Sequence, residues 1–120
     1  MKKVISIGEA LIDFIPQEKG VALKDVSNFL RVAGGAPLNV AAAVAKLGGE
    51  SQMLTKLGMD GFGDYILEEV TPLGVDVSKV LRTNEANTAL AFVSLKAGGE
   101  RDFSFYRNPS ADMLLNETEI

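Results

Sequence analysis

The chain alternates short apolar runs with polar, glycine-bearing breaks, and the runs follow two different periods. Val4–Ile7 is a compact apolar run ending at Gly8, and Leu11–Ile15 is a second extended piece stopped by Pro16. Runs this short, bounded by Gly or Pro, predict strands. Gln17–Asp25 is polar, carries Gly20 and predicts a surface loop. Phe29–Val32 predicts another strand, running into the turn Ala33-Gly34-Gly35. Pro37 suits the first turn of a helix, where its missing N–H costs nothing. Asn39–Leu47 places apolar residues at helical spacing among alanines, and Gly48-Gly49 closes that helix.

Ser51–Leu57 predicts a strand ending at Gly58. Gly61–Val70 has helical spacing at Phe62, Ile66 and Val70, and Pro72-Leu73-Gly74 ends it. Strand, helix, strand, helix in this order indicates an α/β protein with parallel strands. The texture then changes. Thr88–Lys96 is dense in β-formers. Arg101–Arg107 alternates, with Phe103 and Phe105 on the face of Arg101 and Arg107, and Asp102, Ser104 and Tyr106 on the other. Ala97-Gly98-Gly99-Glu100 supplies a hairpin connection between them, which suggests a small sheet beside the main α/β body. Near the end, Asn116 and Glu119 form a capping-box pattern that announces a helix one residue before Ile120. A helix that is nucleated and has no body is unexpected. The sequence is therefore read as the N-terminal portion of a longer chain.

Composition narrows the chemistry. With 120 residues, 47% of them hydrophobic and 23% charged, the chain fits a soluble globular domain and excludes a disordered tail. No run approaches the ~18 apolar residues of a membrane span. Met1-Lys2-Lys3 leads into a short strand and not into a signal peptide. The absence of cysteine removes disulfides and thiol nucleophiles and fits a cytoplasmic location. The absence of histidine removes Ser-His-Asp triads and histidine metal sites. Carboxylates, Lys or Arg, amides and backbone groups remain. A net charge of −4 with scattered Lys and Arg argues against nucleic-acid binding.

Neither standard phosphate motif occurs. No glycine precedes Lys-Ser or Lys-Thr, and Gly61-Phe62-Gly63 meets Ile66 where a dinucleotide fingerprint needs glycine. Gly58, Gly61 and Gly63 more simply shape the turn into a helix, with Asp60 or Asp64 near its positive end. Gly34-Gly35-Ala36-Pro37-Leu38-Asn39 differs. Two glycines after a strand allow a ligand close to the backbone, and Asn39 offers a donor and an acceptor. Spacing alone leaves a solvated Asn39 equally open. Asp13, set between Ile12 and Phe14, is either a solvated carboxylate or an acceptor for ligand hydroxyls at a strand end. Glu9 has the same ambiguity. Arg107 is either an edge-strand charge or a binder of an anionic or polyhydroxylated ligand. Met53, Met59 and Met113 read as core filler.

Together these segments resemble the N-terminal part of the ribokinase-like, phosphofructokinase-B type carbohydrate kinases. That family's first signature is matched by Gly34, Gly35, Pro37, Asn39, Ala41, Gly48 and Gly58, with Ala36 as an optional insertion. Gly8–Phe14 and Phe105–Asp112 resemble fructokinases within it, and the resemblance runs from about Val4 to Ile120. It implies a three-layer α/β sandwich with a small β-sheet lid, its strands within 11–33 and 88–107, all of it the N-terminal portion of one kinase domain. It implies ATP-dependent phosphorylation of fructose to fructose 6-phosphate, with ATP and Mg2+ as cofactors, and it allows a homodimer through the lid. Asp13, Gly34, Gly35, Asn39, Thr88, Phe105, Tyr106 and Arg107 would contact the sugar. The family's second motif, of Asp-Thr-x-Gly-Ala-Gly-Asp type, does not occur in these residues. Its last Asp is the catalytic base, so the resemblance assigns no catalytic residue here, and the chain alone is expected to be inactive. A 2-keto-3-deoxygluconate kinase of the same family is the nearest competitor, with Arg107 meeting a carboxylate. A non-catalytic sugar-binding protein is the competitor from another class.

Overall fold

The computed structural model describes residues 2–95 and 101–120. Its first strands are β1 (Lys3–Ile7), β2 (Leu11–Pro16) and β3 (Phe29–Gly34), followed by helix α1 (Ala36–Lys46). Strands β4 (Glu50–Leu54) and β5 (Lys56–Gly58) lead to helix α2 (Gly61–Val70). Strands β6 (Val75–Asp76), β7 (Leu81–Thr83), β8 (Ala89–Leu95) and β9 (Arg101–Tyr106) complete the regular structure. Among the described residues the strands form a parallel sheet β1-β4-β6, a parallel pair β5-β7, and a mixed sheet β3-β2-β8-β9.

Local chemistry accounts for both helices. Gly35, at φ 98°, turns the chain out of β3, and Pro37 occupies the first turn of α1. After the last turn, Gly48 takes φ 86°, a conformation that favours glycine. Asp60 caps α2, its carboxylate accepting the Gly63 N–H at 2.8 Å. A 3-10 turn over Thr71–Leu73 and Gly74 at φ 102° end that helix and start β6.

One core joins these parts. Leu38 and Ala41 of α1, Ile66 and Val70 of α2, and Met53, Leu57, Val75 and Ile12 from the strands share a buried cluster. Helix α1 covers one face of the β1 sheet, and α2 lies against β2, β3 and β5. Of the implied three layers, these residues supply the sheet and one helical layer. Ile5 and Ile7, on the opposite face of β1, are exposed.

The structure departs from the sequence pattern in several places. Ser51–Leu57 is two strands in two sheets. Between them the Thr55 carbonyl accepts the Leu81 N–H at 3.0 Å, drawing the chain towards the β5-β7 pair. Asn116 and Glu119 do form a capping box, yet only a 3-10 turn over Glu117–Glu119 follows. Lys56 Nζ donates to Glu119 at 2.8 Å and ties that turn to β5. The loop after β2 contains a 3-10 turn, Leu23–Asp25, and the Glu18 carboxylate holds it by accepting the Ser27 and Asn28 N–H groups. Met53 is buried, but Met59 and Met113 are exposed and fill no core. The connection expected at Ala97–Glu100, with Lys96 before it, lies outside the described residues.

Candidate functional site

Strand alternation decides where Asp13 points. Its neighbours Ile12 and Phe14 face the core, where Phe14 stacks on Phe92 at 4.7 Å between ring centres and meets Phe62 edge-on at 5.6 Å. With those two residues committed inward, Asp13 must take the other face of β2. There it shares a row across the mixed sheet. Asp13 lies opposite Val32 of β3 and Ala91 of β8, and Ala91 lies opposite Phe105 of β9. Leu11, Ala89 and Ala91 form a small buried cluster beside it.

The Asp13 carboxylate is half-buried, and this burial pushes its pKa above the ordinary 3.8. Among the described residues no hydrogen bond or ion pair holds it. Gly34 lies directly against it: a β-carbon there would collide with Oδ2 and come within 3.2 Å of the carboxyl carbon. The next residue is equally confined. A β-carbon on Gly35 would sit 2.9 Å from the Glu9 carbonyl oxygen, and one on Gly8 would sit 2.7 Å from Cγ of Pro37. The Gly8-Glu9 and Gly34-Gly35 segments thus pack backbone against backbone, with the Asp13 carboxylate above them. Glu9 contributes its main chain to this packing.

Asn39 is exposed one turn into α1, and its N–H bonds to the Gly35 carbonyl at 2.9 Å. With Val32 and Ala33 it lines a groove of about 400 Å³ that continues between the helices past Lys46 and Tyr65. Asp13 lies against Gly34 and is not among the residues that line this groove. Phe105 is exposed on the Asp13 face, stacked on Phe103 at 5.6 Å.

The remaining predicted residues are held differently. Thr88 is only 2% exposed, and its hydroxyl donates to Asp60 at 2.7 Å while accepting the Gly58 N–H at 2.9 Å. Tyr106 takes the opposite face from Phe105 and packs edge-on against Phe92 at 5.3 Å. Phe105 and Tyr106 both border a cleft of about 670 Å³ rimmed by Asn84, Asn87 and Asn108. Arg107 follows β9 and pairs with Asp112, which the Ser110 hydroxyl also reaches. Asp112 is buried to 3% side-chain exposure, and the Arg107 Nε is buried with no hydrogen-bond partner.

The structure thus gathers Asp13, Gly34 and Phe105 on one sheet face, with Gly35 next in the chain, and places Asn39 in the groove between the helices. It ties Thr88 and Arg107 to neighbouring carboxylates. Sequence reasoning missed Ala91, the small residue between Asp13 and Phe105. The alternation Ala89, Ala91, Val93 was the available signal. A free carboxylate, an exposed amide and a tight glycine turn are suited to hydroxyl groups of a neutral ligand. Among the described residues no group of three or more His, Cys, Asp or Glu side chains is placed to hold a metal ion. No described helix is long and apolar enough to cross a membrane.

Comparison with known proteins gives the family. The family model of pfkB family carbohydrate kinases matches residues 1–120. The chain is 51% identical over 117 residues to probable fructokinase-5 of Arabidopsis thaliana, covering 98% of this chain and 36% of that protein. It is 52% identical to fructokinase-1 of Zea mays, with the same coverage. Among solved structures, fructokinase from Xylella fastidiosa superposes with a TM-score of 0.88 at 48% identity, covering 99% of this chain and 38% of the other. The same enzyme with bound ATP gives 0.86 at 47% identity, covering 98% and 37%. The chain spans little more than a third of the length of these relatives.

Proposed function

The chain belongs to the pfkB family of carbohydrate kinases, and from that premise we propose that the full-length protein phosphorylates fructose at the expense of ATP. The sugar 6-hydroxyl oxygen forms a bond to the γ-phosphorus, the bond to the β-phosphate oxygen breaks, and ADP leaves. The hydroxyl proton passes to a base that the family resemblance places in its second motif, which these residues do not contain. Such a transfer is mostly a problem of positioning and of keeping water out.

The observation that carries the proposal is the free, half-buried carboxylate of Asp13 over the Gly34-Gly35 turn. It accepts hydrogen bonds from sugar hydroxyls, and the turn brings the sugar close to the main chain. Asn39 adds an amide from the start of α1. The mixed sheet β3-β2-β8-β9 acts as a lid that holds the sugar and excludes water. Phe105 closes the site from β9, with Tyr106, Thr88 and Arg107 fixing the strand ends around it. Leu30, Val32 and Phe103 leave the same sheet face apolar and exposed, which supports pairing of two lids in a homodimer. Mg2+ would enter with the nucleotide. A cytoplasmic location goes with this metabolic role.

Arg107 bears on the choice of sugar. Its guanidinium is already paired with Asp112, so little of its charge is left for a substrate carboxylate. This favours fructose over 2-keto-3-deoxygluconate. The test is ADP release by the full-length protein with each sugar in turn. Fructose-dependent ADP release that drops on Asp13→Asn supports the assignment; turnover of the keto acid alone rejects it.

A further inference from the structure

We propose that Asp60, remote from the sugar in sequence and in contact, is a positioning residue that locks the lid strand β8 in place. The role rests on the sugar-kinase reading above and adds a residue to that site. Asp60 belongs to the body of the fold, where it caps α2 through the Gly63 N–H. The same carboxylate also reaches across to the first residue of the lid crossing. Its Oδ2 accepts the Thr88 N–H at 2.9 Å, and its Oδ1 accepts the Thr88 hydroxyl at 2.7 Å. Thr88 then accepts the Gly58 N–H, so the link is closed on both sides.

The surroundings leave this link no slack. Arg82 donates through Nε and Nη2 to the Gly58 carbonyl at 3.1 and 2.9 Å, and pairs with Asp64 at 2.9 Å. A β-carbon on Gly58 would collide with Oδ2 of Asp60 and lie 2.6 Å from the Thr88 nitrogen. One on Gly63 would lie 3.0 Å from Arg82 Nη2 and 3.2 Å from the Thr88 hydroxyl oxygen. Helix α2, strands β5 and β7, and the start of β8 therefore meet at one packed polar joint.

What the joint controls follows from register. Three residues beyond Thr88, Ala91 lies between Asp13 and Phe105 in the row that faces the sugar. Fixing Thr88 to the end of α2 fixes how that row sits over the body, where Gly35 and Asn39 wait at the start of α1. A second tie supports the same crossing: the Ala111 N–H donates to the Asn87 carbonyl at 2.8 Å.

Asp60→Asn and Thr88→Val test the joint in the full-length protein. Asparagine still caps a helix but turns an amide donor towards the Thr88 N–H. Each variant should raise the KM for fructose about tenfold, the scale of a lost charge-assisted hydrogen bond, with the KM for ATP within about twofold of the parent. Thr88→Ser should restore the parent value. Asp60→Asn with Thr88→Val together should be no worse than the poorer single variant, because both remove one link. Amide exchange at Thr88–Ala91 should quicken in Asp60→Asn, and this readout needs no substrate. Unchanged exchange, equal losses for fructose and ATP, or multiplying effects in the double variant would each overturn the assignment. A parent protein that exchanges as expected but phosphorylates no sugar would reject the kinase reading and leave Asp60 as the anchor of β8.

Discussion

The carboxylate of Asp13 occupies the space that a β-carbon on Gly34 would need. The two residues sit on neighbouring antiparallel strands, with Leu11 directly opposite Gly34 and Asp13 opposite Val32. This glycine is thus required by its neighbour's side chain, since its own φ is not in the left-handed region. Gly34→Ala should push the Asp13 carboxylate aside and raise the KM for fructose at least tenfold, the loss expected when hydroxyl bonds to a charged acceptor are misdirected. The accompanying overpacking should cost about 1–3 kcal/mol, readable as a lower urea midpoint. An unchanged KM would show that Asp13 is not held in place by this contact.

Burial raises the pKa of Asp13, and this sets a direction for the pH dependence of sugar binding. The ionised carboxylate is the form that accepts two hydroxyl hydrogen bonds. Sugar binding should therefore weaken as the pH falls through the raised pKa, at a pH above the ordinary aspartate value of 3.8. Because hydroxyl donors stabilise the charged form, binding should release a fraction of a proton in that range. Calorimetric titration of fructose in two buffers of different ionisation enthalpy measures the release. Asp13→Asn should abolish it, and a release that persists in that variant would place the titrating group elsewhere.

The parts of the molecule that a sequence discloses are those fixed by near neighbours. Helix α2 was legible to its boundaries because Asp60 caps it three residues from its partner and Pro72 and Gly74 stop it. Asp13 stood out as a charge inside an apolar alternation, and the structure gives the reason, since Ile12 and Phe14 are both drawn to the core. The break at Thr55 was invisible because the bond that bends the chain comes from Leu81. Thr88 was legible only as the start of a run of β-formers, its expected sugar contact coming from the family resemblance, because its partner Asp60 lies 28 positions earlier in the chain. Met59 and Met113 are apolar in composition yet exposed, and hydrophobicity alone cannot tell the two situations apart.

Asp112 joins Arg107 and Ser110 at the turn that follows β9, and its side chain is 3% exposed. Removing it would leave Arg107, one-third exposed, without its counter-charge. Asp112→Ala should destabilise the protein by about 2–3 kcal/mol, less than a fully buried pair because the guanidinium can still reach water. The urea midpoint should fall with little change in slope. Arg107→Lys should lose part of the same stability, since an ammonium cannot reproduce the planar fork. A loss below about 0.5 kcal/mol in Asp112→Ala would mark the pair as an ordinary surface contact.

Asp60 sets a second pH dependence, read in stability and arising from a pKa shift opposite in direction to that of Asp13. Burial acts to raise its pKa, but the Thr88 and Gly63 N–H groups, the Thr88 hydroxyl and the Arg82 charge outweigh it and hold the carboxyl below the ordinary 3.8. A carboxyl whose folded pKa lies below its unfolded value contributes stability that is fully present above the unfolded value. That contribution is lost as the pH falls through the folded pKa. The parent protein should therefore lose stability steeply below about pH 4, whereas Asp60→Asn, already weaker at neutral pH, should lose less over the same interval. Urea unfolding at a series of pH values from neutral down to about 3 measures the two slopes. Parallel curves for parent and variant would mean that the Asp60 pKa is the same in the folded and unfolded protein, so that the bonds to Thr88 and Gly63 do not favour its ionised form.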